Sequence, residues 1–314
     1  MEKENMNNID FEKVKDIVAI IIKQKGYYMG KDYGLTKKAI HKLGFAVRNR
    51  LSDKNPLKGY LPFYWYKFGP FSEVIEEGLR IGIREGIIEE EKIEDMTIFK
   101  VSESFDEKKL LSSLDIKELH QILDGIFFSP FKTEEFTLMI YKKAPRRFRY
   151  FAYLTKYHLD RYIKYLEIFK ESDKKTKQII ISYLFRTEAN LPKDKIFYEF
   201  NPLFSSFVTT LNRFLRYEKK LSLEEKINHI EELRKIFENM QEIFGEGERI
   251  VEHDPYYNNK IDIWKRQYYQ HLYLHAPSIE SLRKHIIDVI GKDNLSISYS
   301  QSHREMLSTI FFDY

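Results

Sequence analysis

Thirteen glycines and nine prolines are all that punctuate a chain of 314 residues. Average chains use roughly 7% glycine and 5% proline, so few turns interrupt this one and long helices are favoured. Cysteine is absent, which removes disulfides, thiolate metal sites and thiol nucleophiles together. The same absence favours a cytoplasmic home. Hydrophobic residues at 43% supply a sizeable core. Charged residues at 32% exceed the roughly 25% of average proteins. Fifty-two Lys and Arg against 48 Asp and Glu leave +4, which excludes a polybasic protein and turns attention to local patches. The aliphatic run Ile17 to Ile22 is too short to span a membrane, and the start MEKENMNNID is no signal peptide.

The length suggests two domains, placed at residues 1–105 and 106–314. Asp10 can cap a helix that begins at Phe11, and Gly26 is a natural stop. Residues 27–34 read as a loop. Thr36 caps a second helix to about Leu51. Its Ile40, Leu43, Val47 and Leu51 fall on one arc, with Lys37, Lys38, His41, Lys42 and Arg48 on the opposite, solvated arc. Leu61 to Phe68 is strand-like, and Gly69-Pro70 breaks it. Ser72 caps a third helix on which Gly78, Gly82 and Gly86 line one edge, a sign of close backbone approach. Ile87-Ile88 and Thr97 to Val101 form a hairpin across Glu89 to Met96. Helix, helix, strand, helix, hairpin is close to winged-helix order.

The string Tyr66-Lys67-Phe68-Gly69-Pro70-Phe71-Ser72, with Arg84-Glu85-Gly86-Ile87-Ile88 after the next helix, resembles the core of the Panacea domain family. The Lys37 to Leu43 helix is similar to the helix that precedes that core. The likeness covers residues 10–105. It implies a winged-helix relative in a phage-defence or toxin-control setting, where members bind a partner toxin. It carries no catalytic residues with it.

Charge tests the winged-helix expectation. From Glu73 to Asp95 there are nine acids (Glu73, Glu76, Glu77, Glu85, Glu89, Glu90, Glu91, Glu94, Asp95) against Arg80, Arg84 and Lys92, leaving −6. Phosphate contacts need cations, so an acidic third helix and hairpin oppose the usual docking on duplex DNA. From Lys31 to Arg50 six cations face one acid, leaving +5. This basic helix, with Lys37, Lys38, His41, Lys42 and Arg48, is a secondary candidate face for nucleic acid or an acidic partner.

After residue 105 the chain reads as successive helices: 114–127, 132–143, one from Pro145 to about Lys170, then 174–185, 202–217 and 223–244. Ser222 with Glu225 makes a capping box. Gly245-Glu246-Gly247 is expected to break that helix. Another runs from about Asn259 to His275, Pro277 interrupts, and a further helix ends near Gly291. Leu295, Ile297 and Tyr299 suggest a late strand.

Phe136 to Leu159 contains no acid. Lys142, Lys143, Arg146, Arg147 and Arg149, with Tyr150, Tyr153 and Tyr157, supply cations for phosphates and rings for bases, as single-strand or RNA binding requires. Three arginines near a helix start oppose its dipole, and a bound anion would relieve them. Arg266 and His271 fit the R-x4-H pattern of helical HEPN ribonucleases, which implies joint action on RNA phosphates. His271 and His275 share a helix face, but the glutamate of a metalloprotease is missing between them. No glycine-rich phosphate loop and no GxSxG string occurs. Neither a metal nor a cofactor is expected.

The expected protein is thus mainly α, an N-terminal winged-helix-like α+β domain followed by a larger all-helical domain. Its expected role is a non-enzymatic regulator or adaptor. The first domain would bind a protein partner and the second RNA or DNA. The alternatives are a HEPN-type ribonuclease on the C-terminal helices and a DNA-binding transcription regulator.

Overall fold

The computed structural model describes residues 9–28, 31–67, 69–103, 105, 114–129 and 133–290. The fold is mainly α, with an α+β part at the N-terminus. Helix α1 (Phe11–Gly26) starts where Asp10 accepts the Glu12 and Lys13 N–H groups. Its residues 17–22 are all buried, because α2 (Lys37–Arg48), α3 (Glu73–Arg84) and strand β7 (Met96–Val101) surround it. Thr36 and Ser72 cap α2 and α3 through their side-chain oxygens.

Strand β3 (Leu35–Thr36), β7 and β6 (Ile88–Ile93) form an antiparallel sheet in the order β3-β7-β6. The turn between β6 and β7 is only Glu94-Asp95, with Glu94 at φ 53°, so the hairpin is longer than its sequence pattern suggests. Two further hairpins differ from expectation. Tyr27–Tyr28 (β1) and Lys31–Asp32 (β2) pair inside the segment read as loop. Gly69-Pro70 does not end a strand; it lies in β5 (Gly69–Phe71), which pairs with β4 (Tyr64–Tyr66). Gly69 at φ 110° makes the reversal sterically open.

The glycine edge of α3 divides by position. A Cβ on Gly78 would lie 2.7 Å from Val14 Cγ1, so this residue lets α1 and α3 touch. Gly86 lies beyond the helix at φ 70° and meets no neighbour.

Helices α4 (Leu114–Asp124) and α5 (Thr133–Lys142) pack Leu119, Leu123, Phe136 and Ile140 into the same core as α1–α3. A second core holds α6 (Arg147–Phe169), α7 (Lys174–Ala189), α8 (Phe200–Tyr217), α9 (Leu223–Val251) and α10 (Ile261–Ile290). Its centre is aromatic, with Phe148 stacked on Phe244 at 3.9 Å and Phe207 on Phe237 at 5.6 Å. At one end the Tyr162 hydroxyl and the Lys177 ammonium donate to buried Glu218 at 2.6 and 2.9 Å.

Two expected helix breaks are absent. α9 runs through Gly245-Glu246-Gly247, because both glycines make room for neighbours. A Cβ on Gly245 would sit 3.0 Å from the Lys67 nitrogen, and one on Gly247 2.6 Å from the Phe197 ring. α10 continues through Pro277, which lies on the exposed side of the helix. The expected strand at 295–299 and the helix end near Gly291 lie outside the described residues. No helix among the described residues is long and apolar enough to cross a membrane.

Candidate functional site

The two cores meet along β4 and the end of α9. The Trp65 N–H donates to the Glu252 carbonyl at 3.2 Å, and the Asp254 N–H donates to the Phe63 carbonyl at 2.9 Å. Arg48 pairs with Asp254 at 2.5 Å. The Tyr257 hydroxyl accepts from the Glu73 N–H and donates to the Pro62 carbonyl. Arg249 lies over the Tyr66 and Trp264 rings. Backbone and side chains thus join β4 to the helical body.

That junction changes the basic arc of α2. Lys37 and Lys38 remain exposed, and Lys37 pairs with Glu76 at 2.7 Å. His41 and Lys42 are buried, contrary to a solvated face, because α5 and β5 cover α2 from the side away from its own core. His41 stacks on Phe71, accepts the Ser72 N–H at Nδ1, and donates from Nε2 to Glu76 at 2.6 Å. Burial holds this imidazole below its ordinary 6.5, which suits a neutral ring with one donor and one acceptor. Lys42 is 6% exposed and has no hydrogen-bond or ion-pair partner among the described residues.

The acid-free stretch is divided as well. Lys142, Lys143 and Arg147 are exposed. Arg146 pairs with Asp194 at 2.6 Å and Glu252 at 3.2 Å. Arg149 is buried against fully buried Glu248 and donates to the Lys67 carbonyl at 3.3 Å. Burial pushes the Glu248 carboxyl up against the pull of Arg149. The anions that the start of α6 calls for are therefore the protein's own carboxylates at two of three arginines. Tyr150 and Tyr153 pack against the first core, Tyr153 touching Tyr141 at 5.2 Å, while Tyr157 stays 38% exposed.

Residues from the two separate basic segments come together in one pocket of about 490 Å³. Its cations are Lys38 and Lys42 from α2, Lys67 from the β4–β5 turn, and Arg149 and Lys156 from α6. Its acids are Glu238 and Glu242 from α9. Lys67 pairs with Glu242 at 2.6 Å, and Lys156 with Glu238 at 3.1 Å. Tyr141, Tyr153, Phe148 and Phe244 form the apolar wall. The arrangement offers charge and aromatic surface, but no nucleophile held by a base. Sequence reading missed Tyr141 and Lys67 as pocket residues, because only the fold sets them beside Lys42. A signal for Lys67 lay in the string from Tyr66 to Ser72 that contains it.

Arg266 and His271 are not brought together. Five residues of helix separate their directions by about 140°. Arg266 is exposed and turns to its own helix at the Asp262 carbonyl, whereas His271 Nδ1 lies 2.8 Å from Glu246. His275 faces Asn239 on α9 at 3.4 Å. Among the described residues no group of three or more His, Asp or Glu is placed to hold a metal.

The hairpin β6–β7 is the acidic counterpart of the pocket. Glu89, Glu90 and Glu91 are exposed on outer strand β6, with Glu94 and Asp95 at the tip, and Lys100 pairs with Glu91. Arg80 is held by Glu77, and Arg84 lies 3.7 Å from Glu85. Comparison of the chain with family models, with curated proteins and with solved structures gives no match.

Proposed function

We propose that the protein is a non-enzymatic regulator or adaptor whose N-terminal α+β part, winged-helix-like in element order, docks a protein partner with a basic surface. The exposed run Glu89-Glu90-Glu91 on outer strand β6 carries this reading. Duplex DNA would meet α3 and this hairpin first, and their charge repels phosphate. The cations of α2 add little outside, since Lys42 is buried and Lys37 and Arg48 are paired. The Panacea-like string at Tyr66 to Ser72 supports a toxin-control or phage-defence setting. Exposed Lys142, Lys143, Arg147 and Tyr157 leave the helical part a smaller surface for RNA or DNA than the sequence pattern offers. The separation of Arg266 from His271 speaks against a HEPN-type ribonuclease.

The test uses the tagged full-length chain expressed in its native cells. A protein should co-purify with it at physiological salt, and Glu89→Lys, Glu90→Lys and Glu91→Lys together should release that protein. Mobility shifts on duplex DNA at the same salt should show no complex. Tight duplex binding abolished by Arg80→Ala or Arg84→Ala would replace this reading with a DNA-binding regulator.

A further inference from the structure

We propose that the pocket between the two cores binds a small phosphorylated molecule, with the phosphate on Lys42. This goes beyond the protein-docking reading and uses none of its residues. Lys42 is 6% exposed, lines the pocket, and has no counter-ion among the described residues. An ammonium at the end of a buried side chain with no counter-ion is unfavourable, and proteins keep such groups where an anion or a proton loss resolves the charge.

The neighbours explain why the protein itself does not resolve it. Lys67, Lys156 and Arg149 already hold Glu242, Glu238 and Glu248. The charged residue that most affects Lys42 is Lys38, of like sign. Gly69, which has no side chain, lets Lys42 and Tyr141 approach each other here. A Cβ there would sit 3.3 Å from Tyr141 Cε1, 3.8 Å from Lys42 Cε and 3.9 Å from the Tyr141 hydroxyl, so the Lys42 and Tyr141 side chains converge on the Gly69 backbone. Burial keeps the Tyr141 hydroxyl protonated, and so a donor.

An ammonium with three N–H groups and a phenol suit an oxyanion, and lysine serves phosphate as a point charge. A bare phosphate would fill only a small part of about 490 Å³. The remainder is walled in part by Tyr153 and the methylenes of Lys156, which suits the organic body of a phosphate ester.

The experiment is calorimetric titration and thermal melting of the full-length protein with AMP, ribose 5-phosphate, inorganic phosphate and acetate, the last as a charge control. A single-stranded oligonucleotide is the fifth probe. At least one ester should bind saturably, raise the melting temperature, and outbind inorganic phosphate and acetate. Lys42→Met should weaken the ester at least tenfold while the unliganded variant melts at or above the wild-type temperature. Lys42→Gln should do the same, which separates loss of the charge from a packing defect. The proposal fails if no ester binds, if acetate matches the esters, or if both variants bind as wild type does. It fails also if the unliganded variants melt lower, since Lys42 would then be a structural cation. Lys42-dependent binding of the oligonucleotide without binding of AMP would make the pocket a strand contact instead.

Discussion

Hairpin β4–β5 places Tyr64 and Trp65 at 4% exposure and continues its pairing into residues 252–254 of the helical part. Hairpin β6–β7 turns Glu89, Glu90 and Glu91 to solvent and rests on its own sheet. Both are antiparallel pairs of similar origin in the sequence. The first has become part of the interior because aromatic residues occupy both of its faces and a second core supplies surface for each. The second has charges along its outer edge, which keep strand edges from pairing with other chains. Similar backbone thus gives a structural joint in one place and an exposed acidic edge in the other, and side-chain chemistry decides which.

The sharpest test of this contrast is the ion pair beneath β4–β5. Glu248→Gln leaves the Arg149 guanidinium buried without its carboxylate, and should cost about 3–5 kcal/mol in urea unfolding. A loss under 1 kcal/mol would mean that the joint is not held there. Lys42 provides the next largest effect. It is faced by Lys38 on α2, Tyr141 on α5, Arg149 and Tyr153 on α6, Lys67 beside β4, and Glu238 and Glu242 on α9. Burial, with Lys38 adding to it, brings this ammonium down from 10.5 to about 8. Between those values the unfolded chain holds a proton that folded Lys42 has released, so stability rises with pH across the window. The rise should be on the order of 3 kcal/mol for the unliganded protein, read as urea midpoints from pH 7 to pH 10.5. Lys42→Met should remove it. The smallest effect belongs to the outer hairpin. Glu89→Gln, Glu90→Gln and Glu91→Gln should each change stability by no more than about 0.5 kcal/mol, even though Glu91 pairs with Lys100. A larger loss would show that the acidic edge is built into the fold and is not simply presented.

The helix starts were legible because capping is local. Asp10, Thr36, Ser72 and Ser222 each accept the N–H groups that the sequence pattern assigns them. The third helix and the hairpin after it were legible for the same reason. Residues whose role is set by distant chain were not. Gly245 and Gly247 have low helix propensity, yet they lie mid-helix because the Lys67 backbone and the Phe197 ring approach them. His41 and Lys42 lie opposite an apolar arc, which normally means solvent. That inference fails when a second body covers the polar side, and no spacing within α2 reveals one. The pocket shows the same limit. Its cations were visible as two separate basic segments, about a hundred residues apart, and only the joint at β4–β5 makes them one site.

From Ile243 to Ile250 every residue of α9 is buried, whichever way it faces. Helices usually meet water along one side, and surface fluctuations there let their amide hydrogens exchange. A segment enclosed on all sides has no such route, so its amides meet solvent only through openings of the joint between the cores or larger ones. Two turns of α9 therefore exchange on the clock of the joint and not of the surface, as the enclosed runs of α1 and α2 exchange on that of their own core. A stretch whose glycines give it a weak local tendency to be helical is thus protected by what surrounds it.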